Sequence, residues 1–338
     1  MTTLVTPLRA ATAIFCLALA VFPQLLVAQR FPERFFTINP LGVPLSAEAV
    51  AKAGDSNFVW MSGFGFWAGF ERYADFDPAH AWRSPFGAFA EIARWRARNE
   101  QGEYGKRSGI FGVATFDHVA DPDNDITFNP RAVWWEEGVV FATELDSARF
   151  GESAAWSSLQ IGYYHRCRHE VDNLFRNESR VMIYGSLTGK YLLEFPRSAS
   201  GVEGFASARA DVYTIRTDYR FPFAFDRLKP NFFDLVGSLG VNAHLSGDLP
   251  WKQLGWYAGA RLFATAFADD RDFFRRFGTI NALAFDYGAI LGVSVEGAVR
   301  CRIGLQYEYL SDTEMQPFPE ARHLLSIGFS FSSPRGLP

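Results

Sequence analysis

Between residues 299 and 309 the chain alternates strictly. The odd positions are Val299, Cys301, Ile303, Leu305, Tyr307 and Tyr309, and the even ones are Arg300, Arg302, Gly304, Gln306 and Glu308. Further on, Leu325, Ile327, Phe329 and Phe331 alternate with Ser326, Gly328, Ser330 and Ser332. A period of two belongs to extended strands, whose successive side chains point to opposite faces. The same pattern predicts twelve strands, near 58–70, 86–99, 109–118, 133–146, 156–169, 179–195, 204–218, 231–243, 254–267, 277–293, 298–310 and 321–332. Runs of that length suit strands tilted across a bilayer.

A soluble sandwich also alternates, so the placement of aromatic and charged side chains has to decide. Aromatic pairs fall toward strand ends, as with Tyr307/Tyr309, Trp156/Tyr163 and Trp256/Tyr257, where a membrane girdle would lie. The long uncharged run follows Arg9, spans Ala10 to Val27 and closes on Leu26-Val27-Ala28. That layout reads as an export signal over residues 1–28, cut after Ala28. The expected fold is therefore an all-β transmembrane antiparallel barrel of about twelve strands over residues 58–332, in the outer membrane of a Gram-negative bacterium. Residues 29–57 form a periplasmic arm or a short helix at Ser46 to Ala53 stopped by Gly54, and residues 333–338 are a tail.

Composition narrows the partners. Hydrophobic residues make up 48% and aromatics 16%, with 34 Phe among them, so the chain is not disordered. Its net charge of -4 and the lack of a basic field exclude nucleic acid. Outer-membrane lipids and the barrel-assembly machinery are the expected partners, with the protein a monomer or a dimer. Beyond the signal only Cys167 and Cys301 remain, too few for a disulfide framework, and they are expected to stay unbridged.

Chemistry concentrates in Tyr163-Tyr164-His165-Arg166-Cys167-Arg168-His169-Glu170-Val171-Asp172. On a strand, His165, Cys167 and His169 continue the apolar face of Leu159, Ile161 and Tyr163, while Arg166 and Arg168 point into the lumen. Parity brings Ser179 and Asn177 of the next strand to the same lipid side. Polar groups facing lipid are costly, which marks them for function. Three readings stay open. Cys167 is a nucleophile with His165 as base and Ser179, Asn177 or Asp172 orienting it. Alternatively His165, Cys167, His169 and Asp172 bind a soft divalent metal. In the third reading these side chains are only the polar and aromatic rim.

The segment resembles the His-x-Ser-x-His-x-x-Asp signature of an uncharacterised family of bacterial outer-membrane proteins, and Asn177-Glu178-Ser179-Arg180 is similar to that family's Asn-x-Ser-Arg element. This resemblance implies a fold and a location. A second similarity is to outer membrane phospholipase A, a twelve-stranded barrel with a lipid-facing His-x-Ser pair that hydrolyses phospholipids with calcium. It implies His165 as base, Cys167 in the serine's place, Ser179 where an Asn would stand, and lipid acyl-ester hydrolysis at the outer leaflet. Calcium or zinc is the cofactor these readings imply.

Inward by parity are Arg166, Arg168, Arg209, Asp211, Arg300, Arg302 and Glu308. Both signs are present, so a paired network that fills the lumen is expected, with an arginine-lined anion pore as the alternative. His80 and His118 near loops, His244 at a strand end and His323 at a strand start are expected to be solvated or interfacial.

Overall fold

The structure, a computed structural model, describes residues 58–73, 82–98, 104–121, 129–145, 148–150, 153–170, 179–195, 197–198, 200–221, 234–251, 253–268, 274–295, 300–311 and 322–332. The export signal, the Ser46–Ala53 segment, the tail, His80, Asp172 and Asn177 lie outside these residues.

Alternation becomes thirteen strands: β1 (Phe58–Tyr73), β2 (Trp82–Arg98), β3 (Tyr104–Asp121), β4 (Asn129–Glu144), β5 (Ala148–Phe150), β6 (Ser153–Glu170), β7 (Ser179–Phe195), β8 (Val202–Phe221), β9 (Asp234–Asp248), β10 (Leu254–Ala268), β11 (Ile280–Val295), β12 (Arg300–Leu310) and β13 (Arg322–Ser332). Chain neighbours pair antiparallel, β1 pairs with β13, and β4 pairs with β6, so the sheet closes on itself. β5 only extends the hairpin at the start of β6. The ring therefore has twelve strands, as the alternation predicts. Closure leaves no open edge, the condition for crossing hydrocarbon as a sheet.

The distribution of polarity is the reverse of a soluble core. Val139, Ile161, Leu239, Leu283, Ile303 and Leu325 lie exposed on the outer wall, while Arg83, Glu71, Asp117, Arg166, Asp211 and Glu308 are buried inside. Only a surrounding that is itself apolar makes this arrangement favourable, so the fold is that of an outer-membrane-type transmembrane barrel.

Strict parity corrects part of the expected girdle. Tyr307, Tyr309 and Trp256 stay on the outer wall, but Tyr257 is buried in the lumen, because neighbours in a strand cannot share a face. Trp156 likewise packs against the inner cluster of Phe111, Val140, Ala142 and Tyr164. On the outer wall Tyr287, Tyr309 and His323 stand in one row across β11, β12 and β13, and the Tyr307 hydroxyl lies 2.7 Å from His323 Nδ1.

His244 is also corrected. β9 continues to Asp248, so His244 falls inside the strand, and it points inward between the rings of Phe205 and Tyr257, whose centroids are 5.2 and 5.8 Å away. Tyr257 in turn needs glycine beneath it. A Cβ on Gly304 would meet the Tyr257 hydroxyl at 2.4 Å, and one on Gly292 would meet the Ile303 carbonyl oxygen at 2.2 Å. Gly304→Val is therefore expected to lower stability by about 1–3 kcal/mol through overpacking. The urea midpoint of the vesicle-inserted protein reads it; an unchanged midpoint would show that the ring is free to move aside.

Candidate functional site

Two regions concentrate polar chemistry, the lumen and the outer wall of β4, β6 and β7.

In the lumen, Arg83 of β2 is fully buried. Its Nε donates to Asp117 Oδ1 at 2.7 Å, its Nη2 to Oδ2 at 2.5 Å, and its Nη1 to Glu308 Oε2 at 3.0 Å. Glu71 Oε2 lies 3.8 Å from the same Nη1 and accepts from Ser326 at 3.4 Å. Arg261 reaches the other oxygen of Glu308 at 3.5 Å. One guanidinium thus ties β1, β3 and β12 together through three carboxylates.

A second group is built around Asp211 of β8. It accepts from Arg166 Nη2 at 3.1 Å, Arg209 Nη2 at 2.9 Å, Thr188 Oγ1 at 2.5 Å and Ser238 Oγ at 2.9 Å. Arg166 also pairs with Glu136 at 2.5 Å, and Arg209 with the same carboxylate at 3.8 Å. The Arg166 guanidinium stands 5.5 to 6.0 Å from the ring centroids of Tyr164, Tyr184 and Tyr213. Alongside, the space among Gln160, Tyr164, Thr188, Lys190 and Arg209 leaves no room for a water molecule. Arg166, Arg209, Asp211 and Glu308 therefore point inward and pair, as parity predicts. Arg302 points inward too, its guanidinium 5.1 Å from the centre of the Tyr257 ring.

On the outer wall, His165 and Cys167 share the outward side of β6 with Ile161 and Tyr163. His165 is half-buried, and Cys167, between Trp135 of β4 and Ile183 of β7 in register, is only 1% exposed. Neighbouring side chains cover the sulfur, so an ester carbonyl reaches it only if they move. The His169 backbone pairs with Val133 and Val181. Ser179 opens β7 six residues before Gly185, the residue opposite His165, an offset of about 20 Å along the strand. Among the described residues no group of three or more His, Cys, Asp or Glu side chains is arranged to hold a metal.

Register brings in a residue that sequence reading did not single out. Glu137 of β4 is exposed on the outer wall and directly opposite His165. Cβ atoms of such a pair stand about 4.5–5.5 Å apart. The signal was available in parity: with Glu136 inward beside Arg166, Glu137 must face out. On the other flank Gly185 leaves space for Tyr163, whose hydroxyl lies 3.1 Å from Thr214 Oγ1. A Cβ on Gly185 would sit 2.3 Å from that hydroxyl.

Cys167 and Cys301 are not bridged to each other, as expected. They sit on β6 and β12, on opposite sides of the ring.

No family model matches the chain, and no curated protein sequence does. Among solved structures it is similar to an active-site mutant of outer membrane phospholipase A from Escherichia coli, with 11% identity over 88% of this chain and 99% of that one, TM-score 0.43. It is also similar to the calcium-bound outer membrane phospholipase dimer of Salmonella typhi, with 12% identity over 80% and 90% of the two chains, TM-score 0.41. The translocator domain of the autotransporter NalP from Neisseria meningitidis shares 12% identity over 85% and 92%, TM-score 0.37. These likenesses carry no activity to this chain.

Proposed function

We propose that the protein is a non-conducting outer-membrane barrel that serves the membrane through its folded wall. The observation that supports this reading is the buried ion network, in which Arg83, Arg166, Arg209 and Arg261 each meet a carboxylate inside the lumen. Charges lining an aqueous channel would be hydrated and exposed; these are not. Liposomes carrying the refolded protein should swell in small sugars and salts no faster than empty ones. Swelling that scales with protein content would overturn the reading. Export through residues 1–28 belongs to the same proposal.

One observation favours a second reading, lipid acyl-ester hydrolysis: the outward pairing of Glu137 with His165, two residues from Cys167. His165 would take the thiol proton, Sγ would form a thioester with the acyl group, and the lysolipid alkoxide would leave with that proton. Water would then release the fatty acid and restore the thiol. Glu137, opposite His165 in register, would orient the imidazole in place of Ser179, and His169 and Asp172 would complete the polar rim. On this reading Cys167→Ala and His165→Ala each reduce fatty-acid release from phospholipid at least about a hundredfold, with calcium or zinc present. Absence of release from the wild-type protein would remove the reading and leave the structural one standing.

A further inference from the structure

On β3, β4, β6 and β7, Glu137 is the one acidic side chain on the outer wall among the residues whose side chains are described. It lies in the interior of β4, not at its end. A carboxylate facing lipid is costly unless a cation meets it. Among the same described outward residues the basic ones are His165 directly opposite, His118, and Lys106 near the start of β3, eight residues from Ala114, which is the residue opposite Glu137. That offset is about 27 Å, so beside Glu137 the described outer wall offers an imidazole but no ammonium or guanidinium.

The height of the pair on the wall says what can supply one. Toward one rim the outward residues are Val139, Phe141, Ile161 and Leu187, all exposed hydrophobics. Toward the other they are Trp135, Phe116, Cys167 and Ile183, then Val133 and His118. Glu137 and His165 thus stand beside a row that carries the Trp135 and Phe116 rings, and aromatic rings on an outer wall mark the level where headgroups meet acyl chains. Trp135 lies two residues from Glu137 on the outward side, and Tyr163 leans away over Gly185 toward Thr214. The row is thus flanked by aromatic rings.

We infer that Glu137 and His165, flanked by Trp135 and Tyr163, form an outer-wall site for the headgroup of phosphatidylethanolamine. The Glu137 carboxylate accepts hydrogen bonds from the primary ammonium, the His165 imidazole meets the phosphate, and the aromatic faces border the cation. The acyl chains then lie along Val139, Ile161 and Leu187. The site needs the barrel to sit in a membrane, but neither a closed lumen nor any hydrolysis.

The test is lipid retention by the full refolded chain. After extraction from bilayers of equal phosphatidylethanolamine and phosphatidylglycerol, native mass spectrometry should find phosphatidylethanolamine retained preferentially. Glu137→Gln should reduce that retention roughly tenfold, since it removes a charged hydrogen-bond acceptor. Replacing phosphatidylethanolamine by phosphatidylcholine, whose ammonium has no N–H to donate, should lower retention by the wild-type protein, and this arm needs no variant to fold. Equal retention of all three lipids, or full retention by a folded Glu137→Gln protein, would overturn the inference. Liposome swelling and fatty-acid release read other properties, so either can fail without this result changing.

Discussion

Replacing Arg83 with methionine is expected to destabilise the barrel by about 3–5 kcal/mol, the size found when one partner of a buried ion cluster is removed. Arg83 is 0% exposed and meets Asp117, Glu308 and Glu71 within 3.8 Å. Without the guanidinium, three carboxylates face one another at 1% exposure, with Arg261 at 3.5 Å from Glu308 as a weaker counter-charge. Two of these acids must take up protons or water must enter, and both options weaken the fold. The urea midpoint of the vesicle-inserted protein, followed by its gel band shift, reads the loss. Lys106→Ala, at an exposed position of β3, should move that midpoint by no more than about 0.5 kcal/mol. Equal midpoints for Arg83→Met and the wild type would mean that water already bathes the cluster.

The second large effect is expected at Asp211. Asp211→Ala takes a carboxylate from two arginines, for which Glu136 is a close partner at 2.5 Å from Arg166 but a distant one at 3.8 Å from Arg209. A loss of about 3–5 kcal/mol is again expected. Asp211→Asn should cost less, because its amide oxygen still accepts from Thr188 and Ser238, which donate to Asp211 in the wild-type protein. If the alanine and asparagine variants unfold together, Asp211 acts through its charge alone. If neither differs from the wild type, the network does not hold β6, β7, β8 and β9 together.

Much of the barrel was legible because the period of two is local. Val299 to Tyr309 announces both faces of β12 without reference to any other residue. The same parity placed Arg166, Arg209, Asp211 and Glu308 in the lumen. Which strand residues stand opposite each other is not local, and there the sequence says less. Glu137 became the partner of His165 only through the β4 and β6 register, since the intervening hairpin conceals the alignment. Ser179 shares the parity of Cys167, yet register puts it six residues from the position facing His165. Alternation ends the predicted strand at 243 and so puts His244 at its end, whereas β9 runs on through Ser246, Gly247 and Asp248. In the fold Gly247 stays in the strand, close beneath the Trp256 indole, where a Cβ would meet Nε1 at 2.7 Å.

Cys167 illustrates a further limit. Its direction follows from alternation, but its burial depends on larger neighbours. Trp135 on one side and Ile183 on the other flank a small side chain in register. Facing the lipid and being reachable from it are therefore different properties.

The most direct test of the account is the conductance of single wild-type barrels in a planar bilayer, in neutral buffer with a simple salt. With Arg83, Arg166, Arg209 and Arg261 paired inside the lumen, the membrane should stay silent as protein is added. Steady, uniform conductance steps would contradict it, because they require a continuous water path through the ion network described above.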